Sequence, residues 1–188
     1  MLGTPEVTEA VAAFVAGLDC PLVIDPVMVA KSGDRLLHAD AIASLRDLLI
    51  PKATLMTPNL PEAADLLGLA EADDREAMQV QASALLQLGS RAVLLKGGHL
   101  PTEDSPDLLV FDHQSTWFDN ERIQTANTHG TGCTLSSALA SYLGQGFSIP
   151  EAVLAAKTYI SGAIAASDQL NVGRGHGPVH HLWDLSRS

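Results

Sequence analysis

Cysteine occurs only at Cys20 and Cys133, with no Cys-x-x-Cys pair. Neither a disulfide framework nor a thiolate zinc site can therefore organise the chain, and a reducing, cytoplasmic setting is expected. Aromatic residues amount to 4% of the sequence against 46% hydrophobic residues overall. Core volume must come from aliphatic side chains packed between helices and sheet, which is the α/β pattern. Cations are scarce too: 11 Lys and Arg face 22 Asp and Glu, a formal net charge of -11. A field of that sign repels nucleic acid and anionic membrane surfaces, so a small molecule is the expected partner. A nucleotide would still bind where a local cation, a metal ion or a helix N-terminus overcomes that field. No apolar run reaches membrane-spanning length, and MLGTPEVTEA lacks a basic segment leading into an apolar one. The 188 residues suffice for one substantial core, and no repeat or linker interrupts them. One domain spanning 1–188 is the expectation.

What is present is a regular succession of apolar patterns. Residues 5–18 carry a helical stripe of Val7, Val11, Phe14, Val15 and Leu18, with Thr4 placed to cap it. PLVIDPV (21–27) reads as an inner parallel strand whose carboxyl end carries Asp25, followed by a loop over 28–37. Helices are expected at 40–49, at 61–67 behind Pro61, and at 73–88. Short strands are expected at 54–57 and 92–95, the latter ending in Lys96-Gly97-Gly98. Residues 108–111 and 115–118 suggest a hairpin around Asp112-His113-Gln114. Helices at about 132–143 and 150–167 precede a Gly- and His-rich tail, 172–188. Strands alternating with helices imply right-handed crossovers and a mainly parallel sheet with helices on both faces. Ligands then gather at strand carboxyl ends.

The residues with chemical potential lie at such junctions. Asn127-Thr128-His129-Gly130-Thr131-Gly132-Cys133-Thr134 is a glycine-punctuated loop entering a helix. Glycines permit close backbone approach, and the first N–H groups of a helix lack internal acceptors, so phosphoryl oxygens can be held there. The helix dipole favours a thiolate at Cys133, making it a candidate base for a substrate hydroxyl. An ordinary helix cap with a small buried cysteine reads the same letters equally well. In Thr57-Pro58-Asn59-Leu60-Pro61-Glu62, an amide and a carboxylate could serve Mg²⁺ directly or through water. Helix capping is the plainer alternative for Asn59 and Glu62. Asp25, at a buried strand end, needs a hydrogen bond or a cation and could support the same metal. Lys96 could face phosphates or simply finish its strand in solvent. His129, His176, His180 and His181 do not form a convincing ligand set, and structural or surface roles are expected for them.

DPVMVAKSGDRLL, TPNLPEAADLLG, LLKGGH, NTHGTGCTLSSALASYL, AVLAAKTYISGAI and GRGHGPVHHLW occur in that order and cover essentially the whole chain. Together they resemble hydroxymethylpyrimidine/phosphomethylpyrimidine kinases of thiamine biosynthesis. Cys133 is the most specific feature, because most ribokinase-like sugar kinases have Asp at that place. The resemblance implies a ribokinase-like fold and ATP- and Mg²⁺-dependent phosphorylation of hydroxymethylpyrimidine and then of its monophosphate. It implies Cys133 as catalytic base and Gly130, Thr131 and Gly132 as the anion hole. It further implies Asn59 and Glu62 as the magnesium-associated motif, Asp25 and Lys96 as nearby polar positions, and a homodimer. Members of that family carry a further amino-terminal segment with a glycine-rich substrate loop, so a domain incomplete at its amino terminus is expected. Two other functions compete. A pyridoxal-type kinase shares the fold and the Cys-bearing loop, and a noncatalytic nucleotide-binding protein would retain the same residues without turnover.

Overall fold

The computed structural model describes residues 2–28 and 39–185, and its contacts divide the chain into two compact units, Met1–Asn120 and Glu121–Ser188. Most of the loop expected at 28–37, and with it VAKSGDRLL of the first family motif, lies outside the described residues, as do the last three residues of the tail.

The first unit holds a five-stranded sheet in the order β1-β2-β3-β4-β5, formed by Val23–Ile24, Leu55–Met56, Ala92–Lys96, Asp107–Phe111 and Gln114–Phe118. The α/β architecture expected from composition is present. Strands β1, β2 and β3 run parallel, each reached through helical crossovers. The last two pairings are antiparallel, β3 with β4 and β4 with β5, the latter two joined through Asp112 and His113 alone. Both residues adopt positive φ, 52° and 60°, the backbone that a two-residue hairpin turn demands and that Asp and His tolerate better than branched residues. Ala92, Val93, Leu94 and Leu95 are all fully buried, so β3 is covered on both faces.

Two expectations are corrected here. The strand expected inside the sheet, β1, is its edge among the described residues and is only two residues long. Pro26 has no N–H to extend the ladder. The apolar run is instead explained by helical cover, since Ile24 packs with Ala12, Leu45, Leu49 and Ala53. The second correction concerns α1, Pro5–Val15, which Thr4 caps by accepting from the Val7 N–H. Its buried positions are Thr8 and Ala12, with Val11 and Val15 packed beside that cluster. Val7, Phe14 and Leu18 of the expected stripe are exposed at 45%, 70% and 47%. The buried side is thus made by Thr8, Val11, Ala12 and Val15, and Val7, Phe14 and Leu18 face away from it.

Between these elements, α2 (Ala39–Ser44) widens into a π-helical turn at Leu45–Leu49 and tightens to a 3₁₀ turn at Ile50–Lys52, where Pro51 ends the regular pattern. Helix α3 (Leu60–Leu67) stops at Gly68, whose φ of 66° suits the left-handed end of a helix. Helix α4 (Arg75–Leu86) is capped by Asp74 and contributes Met78, Ala82 and Leu85 to the main core, with Met56, Leu60, Val93 and Leu108. In the second unit, α5 (Thr131–Gly144) and α6 (Ile149–Ala165) pack together. Leu135, Leu139 and Leu143 recur every four residues on α5, and Val153, Ala156, Ile160 and Ala163 line the buried side of α6.

Candidate active site

The expected site residues form two constellations, one in each unit. In the first unit the carboxyl ends of β1, β2 and β3 gather polar groups above a sheet that is otherwise aliphatic. Lys96, the last residue of β3, places its ammonium 2.9 Å from an Asp25 oxygen. The two side chains are only 15% and 12% exposed. Thr57, fully buried at the end of β2, donates its hydroxyl to the same oxygen at 3.2 Å. Asp25 is thus hydrogen-bonded and paired, as a carboxylate in that position had to be.

Glu62 stands beside this pair. Its oxygen accepts the Asn59 N–H at 2.8 Å while the Asn59 side-chain oxygen accepts the Glu62 N–H at 2.8 Å, a reciprocal capping box at the start of α3. Both residues thus cap α3 in the first unit. Glu62 is left with 3% exposure. Burial pushes its carboxyl up from the ordinary 4.5 to about 7, against the opposing pull of Lys96 and the Asn59 N–H, and the Asp25 charge adds to the rise. Among the described residues no three His, Cys, Asp or Glu side chains group to hold a metal. Two carboxylates with neutral oxygens nearby fit Mg²⁺, which takes few protein ligands and completes its shell with water and phosphate.

The second constellation is the glycine loop. Gly130 has φ of 82°, which a glycine reaches without strain, and it caps α5. Its carbonyl accepts both the Thr134 N–H at 2.9 Å and the Thr134 hydroxyl at 2.7 Å. Helix geometry leaves the N–H groups of Thr131, Gly132 and Cys133 without acceptors inside the helix, which is the arrangement that binds anions. The Thr131 hydroxyl turns back to the Thr128 carbonyl at 2.8 Å and fixes the preceding turn. Cys133 is exposed rather than a small buried residue, and it opens onto a cleft of about 710 Å³ shared with Thr134, Ser137, Tyr159 and His181. A cysteine that is open to solvent at a helix start can, as its thiolate, take a proton from a bound alcohol.

Thr57, Thr134, Tyr159 and His181 were not among the residues singled out for the site by sequence. Thr57 sits inside the TPN motif, where its hydroxyl was readable as a polar atom at a strand end. His181 belongs to the histidine-rich tail, and only the folded chain shows its Nε2 3.0 Å from the Thr134 hydroxyl.

Known proteins resemble this chain over most of its length. The model of the phosphomethylpyrimidine kinase family matches residues 1–180. A hydroxymethylpyrimidine/phosphomethylpyrimidine kinase of Rhizobium meliloti is 48% identical over 177 residues, covering 93% of this chain and 66% of its own. Among solved structures, the ADP complex of Bacillus subtilis pyridoxal kinase superposes with a TM-score of 0.88 at 36% identity, covering 97% of this chain and 68% of its own. The phosphomethylpyrimidine kinase of Clostridium difficile superposes with a TM-score of 0.75 at 39% identity, covering 87% and 66%. The chain spans about two thirds of the length of these relatives. The fold is that of the ribokinase-like vitamin kinases, and the chain belongs to the phosphomethylpyrimidine kinase family of phosphotransferases.

Proposed function

We propose that this protein transfers the γ-phosphoryl group of ATP to hydroxymethylpyrimidine and then to its monophosphate, as a step in thiamine biosynthesis. The observation that carries the reading is Cys133, an exposed thiol at the start of a helix entered through the Gly130 turn, in the family's own loop sequence. In this reading residues 1–188 belong to one kinase domain, which works in the cytoplasm as a homodimer.

Each residue has a definite task. Cys133 accepts the proton of the substrate's hydroxymethyl group, and the freed oxygen attacks the γ-phosphorus as the bond to the ADP oxygen breaks. The N–H groups at Thr131, Gly132 and Cys133 take up the charge that develops on the equatorial oxygens. Lys96 supplies positive charge towards the phosphates, held in place by Asp25. Asp25, Asn59 and Glu62 would hold Mg²⁺ through its waters, and the ion would neutralise phosphate charge. No covalent intermediate on the protein is needed.

A second reading, phosphorylation of pyridoxal, is favoured by the likeness to the pyridoxal kinase structure. Both alcohols are hydroxymethyl groups on a six-membered heteroaromatic ring, so Cys133 would do the same work on either. Incubation with MgATP and each alcohol separates the readings. The pyrimidine should be phosphorylated more efficiently than pyridoxal, and the reverse order would replace the first reading by the second.

A further inference from the structure

The proposed reaction leaves the histidine-rich tail unused, yet residues 177–181 run back along the glycine loop and are bonded to it at several points. The Gly177 N–H donates to the Asn127 side-chain oxygen at 3.1 Å. The His129 N–H donates to the Gly177 carbonyl at 3.1 Å, and the His129 carbonyl accepts the Val179 N–H at 3.4 Å. The approach is so close that a Cβ at position 177 would overlap the Asn127 side chain. Further along, the strap is fixed to α6, where the His180 N–H donates to the Ala163 carbonyl at 2.9 Å and the Tyr159 hydroxyl donates to the His181 carbonyl at 2.8 Å. On the other side of the loop, Asp168 accepts from the Thr125 hydroxyl at 2.6 Å and from the Asn127 amide at 3.0 Å.

The last link determines what this arrangement does. The Thr134 hydroxyl has one proton, and the 2.7 Å contact with the Gly130 carbonyl consumes it. Towards His181 the same oxygen can only accept, so Nε2 of His181 carries a proton and donates at 3.0 Å. The chain His181 to Thr134 to Gly130 is therefore directional. It locks the Thr134 rotamer and holds the carbonyl of Gly130 along the helix, while the N–H groups that follow face outward. His181 is itself exposed and contributes little by burial, so its side chain's consequence is this bond. It lines the same cleft as Cys133.

We propose that His181 is a positioning residue for the glycine loop, acting through Thr134, and that residues 177–181 are the strap that sets the loop's register. The inference rests on the kinase reading for its effect on turnover, but not for its effect on the loop. A misplacement of about 1 Å in a catalytic array costs roughly a hundredfold in rate, and loss of one bond that orients the array belongs at or below that scale.

The test uses the Cys20→Ser protein, in which Cys133 is the remaining thiol, and compares it with the same protein carrying His181→Ala or His181→Gln. Glutamine keeps an N–H donor for Thr134, whereas alanine does not. Two quantities are read: the rate of Cys133 alkylation by iodoacetamide, and kcat and KM for MgATP with hydroxymethylpyrimidine. Alanine should change the alkylation rate at least about threefold and lower kcat about tenfold or more, with KM for MgATP little altered; glutamine should restore most of both. Unchanged alkylation and kcat in the alanine variant would overturn the proposal. So would a glutamine variant as impaired as alanine while its circular dichroism and melting match the parent. If His181→Ala does not fold, His181→Phe, which fills the space without an N–H donor, takes its place: it must show the same loss, and parent-like values in it would overturn the proposal. Should every protein lack turnover while the alkylation pattern holds, the kinase reading fails and the strap stands.

Discussion

The ammonium of Lys96 lies 2.9 Å from the carboxylate of Asp25, joining the ends of β3 and β1 across 71 residues of sequence. Glu62, nearly without exposure, shares the field of that pair. Removing the cation would leave the buried carboxyls of Asp25 and Glu62 without the positive charge that offsets them. Lys96→Met should therefore lower the unfolding free energy at pH 8 by about 3 kcal/mol, the low end for breaking a buried pair. Adding Asp25→Asn should recover a large part of it. Urea denaturation measures both, and a loss below about 1 kcal/mol in the single variant would show that the pair is better solvated than its exposure indicates.

Glu62 gives a pH dependence of definite sign. Its folded value of about 7 lies above the ordinary 4.5, so between those limits the folded protein binds the extra proton. The stabilisation is fully present below pH 4.5 and is lost as the pH rises to about 7. At about 1.4 kcal/mol per unit, the loss across the window is on the order of 3 kcal/mol. Glu62→Gln keeps an oxygen for the Asn59 N–H but removes the proton, so its stability should fall less over this range. Parallel slopes in the two proteins, followed by denaturation from pH 4.5 to 7.5 without divalent metal, would contradict the assignment.

Much of this could be read from the sequence, and the limits have physical causes. Two helix starts were legible because their signals are local: Thr4 and the Asn59 to Glu62 box each lie within one turn of what they cap. The hairpin was legible from two apolar runs around a polar turn. The edge position of β1 was not, because an apolar strand covered by helices and one flanked by strands bury the same residues. Asp25's need for a cation was foreseeable, but its choice of Lys96 depends on strand order. The bond from His181 to Thr134 spans 47 residues with no periodicity to announce it.

Magnesium dependence tests Glu62 in a different way. If its carboxylate holds the ion's waters, Glu62→Gln should raise the Mg²⁺ concentration for half-maximal turnover about tenfold or more, within the range seen when residues around a metal are changed. Titration at fixed ATP reads this directly. An unchanged midpoint would confine Glu62 to its capping role.

Cys133 is exposed, so truncating it should leave stability nearly unaltered. Cys133→Ala should nonetheless lower turnover at least about a hundredfold, the contribution expected of a positioned general base. Cys133→Asp, which restores a proton acceptor, should recover part of the rate. Full activity in the alanine variant would remove the thiol from the mechanism.

The most direct measurement is a product assay with MgATP and, in separate reactions, hydroxymethylpyrimidine, its monophosphate and pyridoxal. The account predicts one ADP for each phosphoryl group transferred to the pyrimidine, with both pyrimidine steps more efficient than pyridoxal phosphorylation. Nucleotide binding without phosphorylation of either pyrimidine, in protein shown to be folded, would contradict it.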